Sequence, residues 1–141
     1  MSTPIGVLLG YAMWTIAVLM VGIGRRRWSL IFSGKAQLID FPGDTPHGGV
    51  AYRRAVRAHA NCVENLPVYG AIVLAAFVAR VDTSVLDALA LALLAARIGQ
   101  TLTHTLFAET NSTVLIRFLF FLTQLACMCW MGAEIALRAS W

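Results

Sequence analysis

The chain has 141 residues, of which 59% are hydrophobic and only 13% charged, with a mean hydropathy of +0.73. Soluble domains carry about 25% charged residues, so a disordered segment and an ordinary soluble globule are both excluded. A bilayer span takes about 20 apolar residues, and a chain of this length accommodates four of them with connecting loops.

The first apolar run covers residues 4–24 and carries no charge. It makes a poor signal peptide, because its basic cluster follows it instead of preceding it. A long loop, 25–50, comes next. The second span is expected at 52–79, the third at 84–107 and the fourth at 113–137. Ser84 with Asp87 three residues on resembles a capping box, and Asn111, Ser112 or Thr113 is the expected cap of the fourth helix. The short connection 80–83 makes the second and third helices an antiparallel hairpin. The fold class is therefore all-α, an integral membrane four-helix bundle in a single domain.

Seven of the 11 basic residues fall between Arg25 and Arg57. By the positive-inside rule the 25–50 loop faces the cytoplasm, together with the 108–112 loop, and both termini lie on the other side. The net charge of +4 is thus a topology signal. Nucleic acid is not an expected partner, because the basic residues hug membrane ends; membrane lipids are. Cys62, Cys127 and Cys129 lack zinc-ligand spacing and read as packing residues, so no metal is expected.

Charges inside spans are costly, at about 2.5–3.5 kcal/mol near a helix centre, and usually face a protein interior or cavity. On a helical wheel Arg54, Arg57, Asn61 and Glu64 fall within about 80° of one another, with Arg53 and Asn65 at the edges and His59 nearly opposite. The third helix adds Arg97, Gln100, Thr101 and His104 on one face, and the fourth adds Arg117 and Gln124 seven apart. Simpler roles exist for several of these. Arg53 and Arg54 can snorkel to headgroups, Asp87 can cap, Glu134 and Arg138 can form an interfacial i, i+4 pair, and Arg57 with Glu64 can be an internal pair. Taken together, arginine forks, one carboxylate and an amide suit a small zwitterionic or anionic ligand.

The run from Arg53 through Arg57, Ala58-His59, Asn61, Glu64 and Pro67 resembles the signature of the MAPEG family, the membrane-associated proteins of eicosanoid and glutathione metabolism. The Arg-x-x-x-Asn-x-x-Glu-x-x-Pro pattern lies on the second of four spans, and the resemblance extends over essentially the whole chain. It implies a homotrimer with sites between protomers near the cytoplasmic side, and glutathione as cofactor or cosubstrate. By matching position, Arg57, Asn61, Glu64 and Arg97 would hold glutathione. Arg117 would be the catalytic residue that stabilises its thiolate. Arg25 would add a basic contact, and His104 stands where several members carry a tyrosine near the ligand. Asn65 after Glu64 is similar to the microsomal glutathione transferase and prostaglandin synthase branches. The loop with Glu109-Thr110-Asn111, and Phe121 near a frequent tyrosine position, depart from the eicosanoid enzymes.

A trimer also has a physical rationale, since one four-helix bundle has little room to enclose three polar faces whereas a symmetric interface can. Gly6 with Gly10, and the Ala88, Ala92 and Ala96 ladder, permit close helix approach. Pro67 removes a backbone donor, so a kink past Glu64 is expected. The functional expectation is a glutathione transferase with peroxidase capacity, acting in detoxification on a hydrophobic small molecule that enters from the bilayer. The alternatives are a non-catalytic lipid-binding scaffold of the same fold and a small multispan exporter.

Overall fold

Backbone polar groups in a bilayer have to be satisfied within the protein, and this chain satisfies them with helices. The computed structural model describes residues 2–43 and 45–139, and no strand occurs among them. Four helices are long and apolar enough to cross a membrane: α1 (Thr3–Phe32), α2 (Val50–Val78), α3 (Ser84–Leu106) and α4 (Asn111–Arg138). The architecture is the expected all-helical four-helix arrangement.

The first helix does not stop at Gly24. An α-helical stretch, Thr3–Ala17, passes into a π-helical stretch, Val18–Gly24, and then into a second α-helical stretch, Arg25–Phe32. Gly24 keeps right-handed helical angles, with φ −60° and ψ −49°, so it does not act as a terminator. Arginine is a good helix former, and Arg25, Arg26 and Arg27 carry the helix beyond the apolar run. In the loop that follows, a single 3₁₀ turn at Leu38–Asp40 is closed by Gln37 and Asp40.

Both helix caps fall earlier than the sequence suggested, by one residue for α3 and ahead of all three candidates, Asn111, Ser112 and Thr113, for α4. Thr83, not Ser84, caps α3, with its hydroxyl accepting from the Leu86 amide at 3.2 Å. Thr110 caps α4 in a reciprocal pair with Thr113. Both cap residues have extended backbone angles, as a cap requires, whereas Ser84 and Asn111 are already helical. At the other end of α4 the expected ion pair is present, with Arg138 Nε 2.5 Å from Glu134 Oε1. The second helix runs unbroken through Pro67.

Helix α3 touches all three others, and α3 against α4 is the most extensive pair. Val7 and Tyr11 of α1, Cys62, Tyr69 and Val73 of α2, Leu86, Ala90 and Leu93 of α3, and Met128 and Met131 of α4 share the apolar core. Polar tips within it are bonded: the Tyr11 hydroxyl donates to the Cys62 carbonyl, Tyr69 to the Pro4 carbonyl, and the Trp14 indole to Thr101 Oγ1. Cys62 and Cys127 pack inside, while Cys129 faces out. Leu9, Met13, Phe77, Leu91 and Trp130 also point outward, as lipid-facing residues do.

A second, smaller cluster of Ile23, Tyr52 and Ala55 joins α1 to α2. There Gly22 lets the helices meet, since a Cβ at this position would stand 3.2 Å from Ala55 Cβ. Gly22→Val is therefore expected to force α1 away from α2 and to cost about 1–3 kcal/mol, the usual range for overpacking. Thermal unfolding in detergent checks this, and an unchanged midpoint would refute it.

Candidate functional site

The polar residues of the spans gather at the end of the bundle that carries the 33–49 loop. Arg57 and Asn61 lie one turn apart on α2, His104 sits at the end of α3, and Arg117 lies two turns into α4. Arg117 is buried, and all three of its side-chain nitrogens are engaged. Nε donates to the Thr113 carbonyl at 3.2 Å, Nη1 meets His104 Nδ1 at 2.9 Å, and Nη2 lies 3.5 Å from Glu109 Oε1. The same Glu109 oxygen accepts from Arg57 Nη2 at 2.9 Å. One carboxylate thus bridges the guanidinium groups of two helices.

The hydrogen-bond chemistry fixes the histidine tautomer. A guanidinium has no acceptor, so His104 Nδ1 accepts and the ring proton sits on Nε2. Nε2 is 3.3 Å from Asn61 Nδ2, and a hydrogen bond between the two requires the amide turned over to present its oxygen. Amide orientation is an assignment that the network decides.

Behind Arg117 the network continues inward. Gln100 Nε2 donates to the Arg117 carbonyl at 3.1 Å, and Gln100 Oε1 accepts from both Arg97 Nη1 and Gln124 Nε2. Arg97 is 1% exposed and lies beneath the Tyr11 ring, 5.5 Å from its centroid. Its Nε and Nη2 have no partner, and no carboxylate reaches it among the described residues. Arg97 is thus enclosed by its own chain, one side chain behind Arg117.

The other expected residues lie apart from this cluster. Glu64 shares a face with Arg57, seven residues or about 10 Å along α2, and is exposed. Arg57 pairs with Glu109, so the internal Arg57–Glu64 pair is not formed. Arg25 is exposed and does not line the cleft at this end of the bundle. That role falls to Arg27, whose Nε donates to the Tyr52 hydroxyl at 2.5 Å and whose guanidinium packs 5.3 Å from the Phe41 ring centroid. Arg54 does not snorkel freely; it donates to the Phe107 carbonyl.

A cleft of about 560 Å³ opens beside the cluster, lined by Arg27, His47, Tyr52, Arg53, Arg57 and Glu109 with the prolines of the loop. Gly48, at φ +76°, lets the loop turn over Tyr52, where a Cβ would come within 2.8 Å of the ring. Sequence reasoning missed Glu109, Arg27 and Tyr52 as site residues. The available signal for Glu109 was its position as a lone acid in a short loop close to arginine-bearing helix ends.

A profile of the MAPEG family matches residues 2–137. The chain belongs to the MAPEG family. No curated protein and no solved structure gives a significant match. Membership makes this an integral membrane protein of glutathione and eicosanoid metabolism in the broad sense, in a family that includes glutathione transferases and related enzymes. MAPEG members use glutathione as substrate or cofactor. In this MAPEG chain the donor set fits such a ligand chemically. Arg57 and Arg117 already clasp a carboxylate, that of Glu109, and Asn61 and Glu64 continue the same helix face.

Proposed function

We propose that the protein is a membrane-embedded glutathione transferase that ionises the glutathione thiol for attack on a hydrophobic electrophile. The observation that carries this reading is the convergence of Arg57, Asn61, His104 and Arg117 at one end of the bundle in a MAPEG chain. Arg57 holds a glutathione carboxylate in a bidentate fork. Asn61 and Glu64 hold its amide and ammonium groups, and Arg25 or Arg27 adds a cation at the mouth. Arg117 faces the sulfur and favours the thiolate, as an adjacent positive charge does. Arg97 and His104 act as positioning residues, through Gln100 and directly on Arg117. No protein nucleophile is needed; the chemistry is thiolate activation and alignment. With a lipid hydroperoxide the same thiolate gives peroxidase activity, two glutathiones being oxidised to the disulfide as the peroxide becomes an alcohol and water.

The assembly we propose is a homotrimer with sites between protomers. Arg57, Glu64 and Arg25 are exposed on the single chain, and charges on a span are costly against lipid, so a neighbouring copy is the natural cover. Outward-facing Ala88 and Ala92 allow close approach. The end of the bundle that carries the 33–49 loop, flanked by Arg25, Arg26 and Arg27 and by Arg53, Arg54 and Arg57, lies on the cytoplasmic side and the termini on the other, and the electrophile enters laterally from the bilayer.

The test uses the purified protein in detergent. Added glutathione should raise the ultraviolet thiolate absorbance saturably. Glu64→Gln should weaken binding about tenfold, the effect of losing one charge-assisted hydrogen bond. Absence of glutathione binding in the parent protein would overturn the reading.

A further inference from the structure

Glu109 occupies the place where the proposed function puts the ligand's anionic groups, a carboxylate on Arg57 and the thiolate on Arg117. Its Oε1 takes Arg57 Nη2 at 2.9 Å and Arg117 Nη2 at 3.5 Å, and its side chain is 43% exposed. The backbone on either side is pinned. Arg54 donates to the Phe107 carbonyl, Thr113 Oγ1 donates to the Ala108 carbonyl at 2.8 Å, and Thr110 with Thr113 closes the cap of α4. The loop therefore stays in place while the Glu109 side chain is free to rotate. The cleft beside it already includes Glu109 in its wall, so a ligand arriving there meets this carboxylate first.

We propose that Glu109 is a resident counter-ion for Arg57 and Arg117, which an incoming carboxylate or sulfate group displaces by rotating the Glu109 side chain away. Glu109 thereby sets the threshold for ligand entry, because it keeps two cations neutralised when no ligand is bound. Weakly anionic molecules fail to displace it, and ligands with a full carboxylate succeed. The Arg57 pair is exposed and therefore individually weak, and the Arg117 contact is long, at 3.5 Å, so the exchange is reversible under ordinary conditions. The proposal rests on the glutathione reading only for the identity of the natural ligand.

The decisive experiment compares the full chain with Glu109→Gln in detergent, using inorganic sulfate as probe against chloride at equal ionic strength. Glutamine keeps the shape but cannot neutralise the two guanidiniums. Sulfate should raise the unfolding temperature of Glu109→Gln clearly more than that of the parent, and Glu109→Asp, with its shorter reach, should fall between them. In the Arg57→Ala, Glu109→Gln double variant the gain should shrink. An equal or smaller sulfate response in Glu109→Gln overturns the proposal. A parallel glutathione titration should give about three- to tenfold tighter binding in Glu109→Gln. If neither protein binds glutathione but the sulfate difference persists, the glutathione reading fails and the counter-ion role stands.

Discussion

Arg117→Ala is expected to abolish the thiolate absorbance of bound glutathione while leaving the four helices folded. A free thiol titrates near 8.5, so only a few per cent is ionised at neutral pH. A guanidinium about 4 Å from the sulfur, at an effective dielectric of about 20, is worth about 4 kcal/mol. That is roughly three units of thiol acidity at about 1.4 kcal/mol each, and it makes the bound thiol almost fully ionised. Loss of the charge returns the ionised fraction to a few per cent, a fall of about twentyfold or more. The fold should survive, because Gln100 bonds the Arg117 backbone carbonyl and not its side chain. The vacated His104 Nδ1 costs about 1–3 kcal/mol as an orphaned acceptor. Arg117→Lys keeps the charge without the fork and should retain part of the signal. A full thiolate signal in Arg117→Ala would move the activating charge elsewhere and end the role assigned to this residue.

Arg97→Met should act in the opposite direction on stability. A buried cation without a counter-charge is expensive, since even a buried ion pair is often replaced by apolar groups neutrally or with a gain of about 1–4 kcal/mol. Arg97 gains one hydrogen bond to Gln100 and a stacking contact with Tyr11, but two of its nitrogens remain unmatched. Methionine fills similar volume, and Gln100 Oε1 keeps its second donor, Gln124. The ligand-free variant should therefore melt at a higher temperature than the parent. Glutathione should stabilise it less, because the charge that supports Arg117 through Gln100 is gone. Thermal melts with and without glutathione read both effects. A lower melting temperature for the ligand-free variant would show that Arg97 holds the bundle together.

The spans could be read from the sequence because a bilayer leaves few options: charge-free runs of 20 residues become helices. The shared face of Arg57, Asn61 and Glu64 followed from helical periodicity alone, as did that of Arg97, Gln100 and His104. Contacts between helices were less accessible. The Glu109 bridge depends on where a four-residue connection lands against α2, and local sequence does not encode that. The caps were missed because Thr83-Ser84 and the 110–113 run each offer several capping side chains close together, and only backbone angles choose among them. Arg27 lines the cleft where the family resemblance put Arg25, because three arginines run together at 25–27 and matching by position does not say which of them turns toward the loop.

That π-helical stretch also bears on how the chain tolerates a change in length. In a regular α-helix, deleting one residue turns everything beyond it by about 100°. A wide turn already holds surplus backbone, so a deletion within Val18–Gly24 can be taken up by tightening to α geometry, and Arg27 keeps its bearing on Tyr52. The same deletion near Gly10 would swing the arginine cluster off the second helix. The first span therefore carries its own slack, placed between a half that is fixed by the core and a half that faces the cleft.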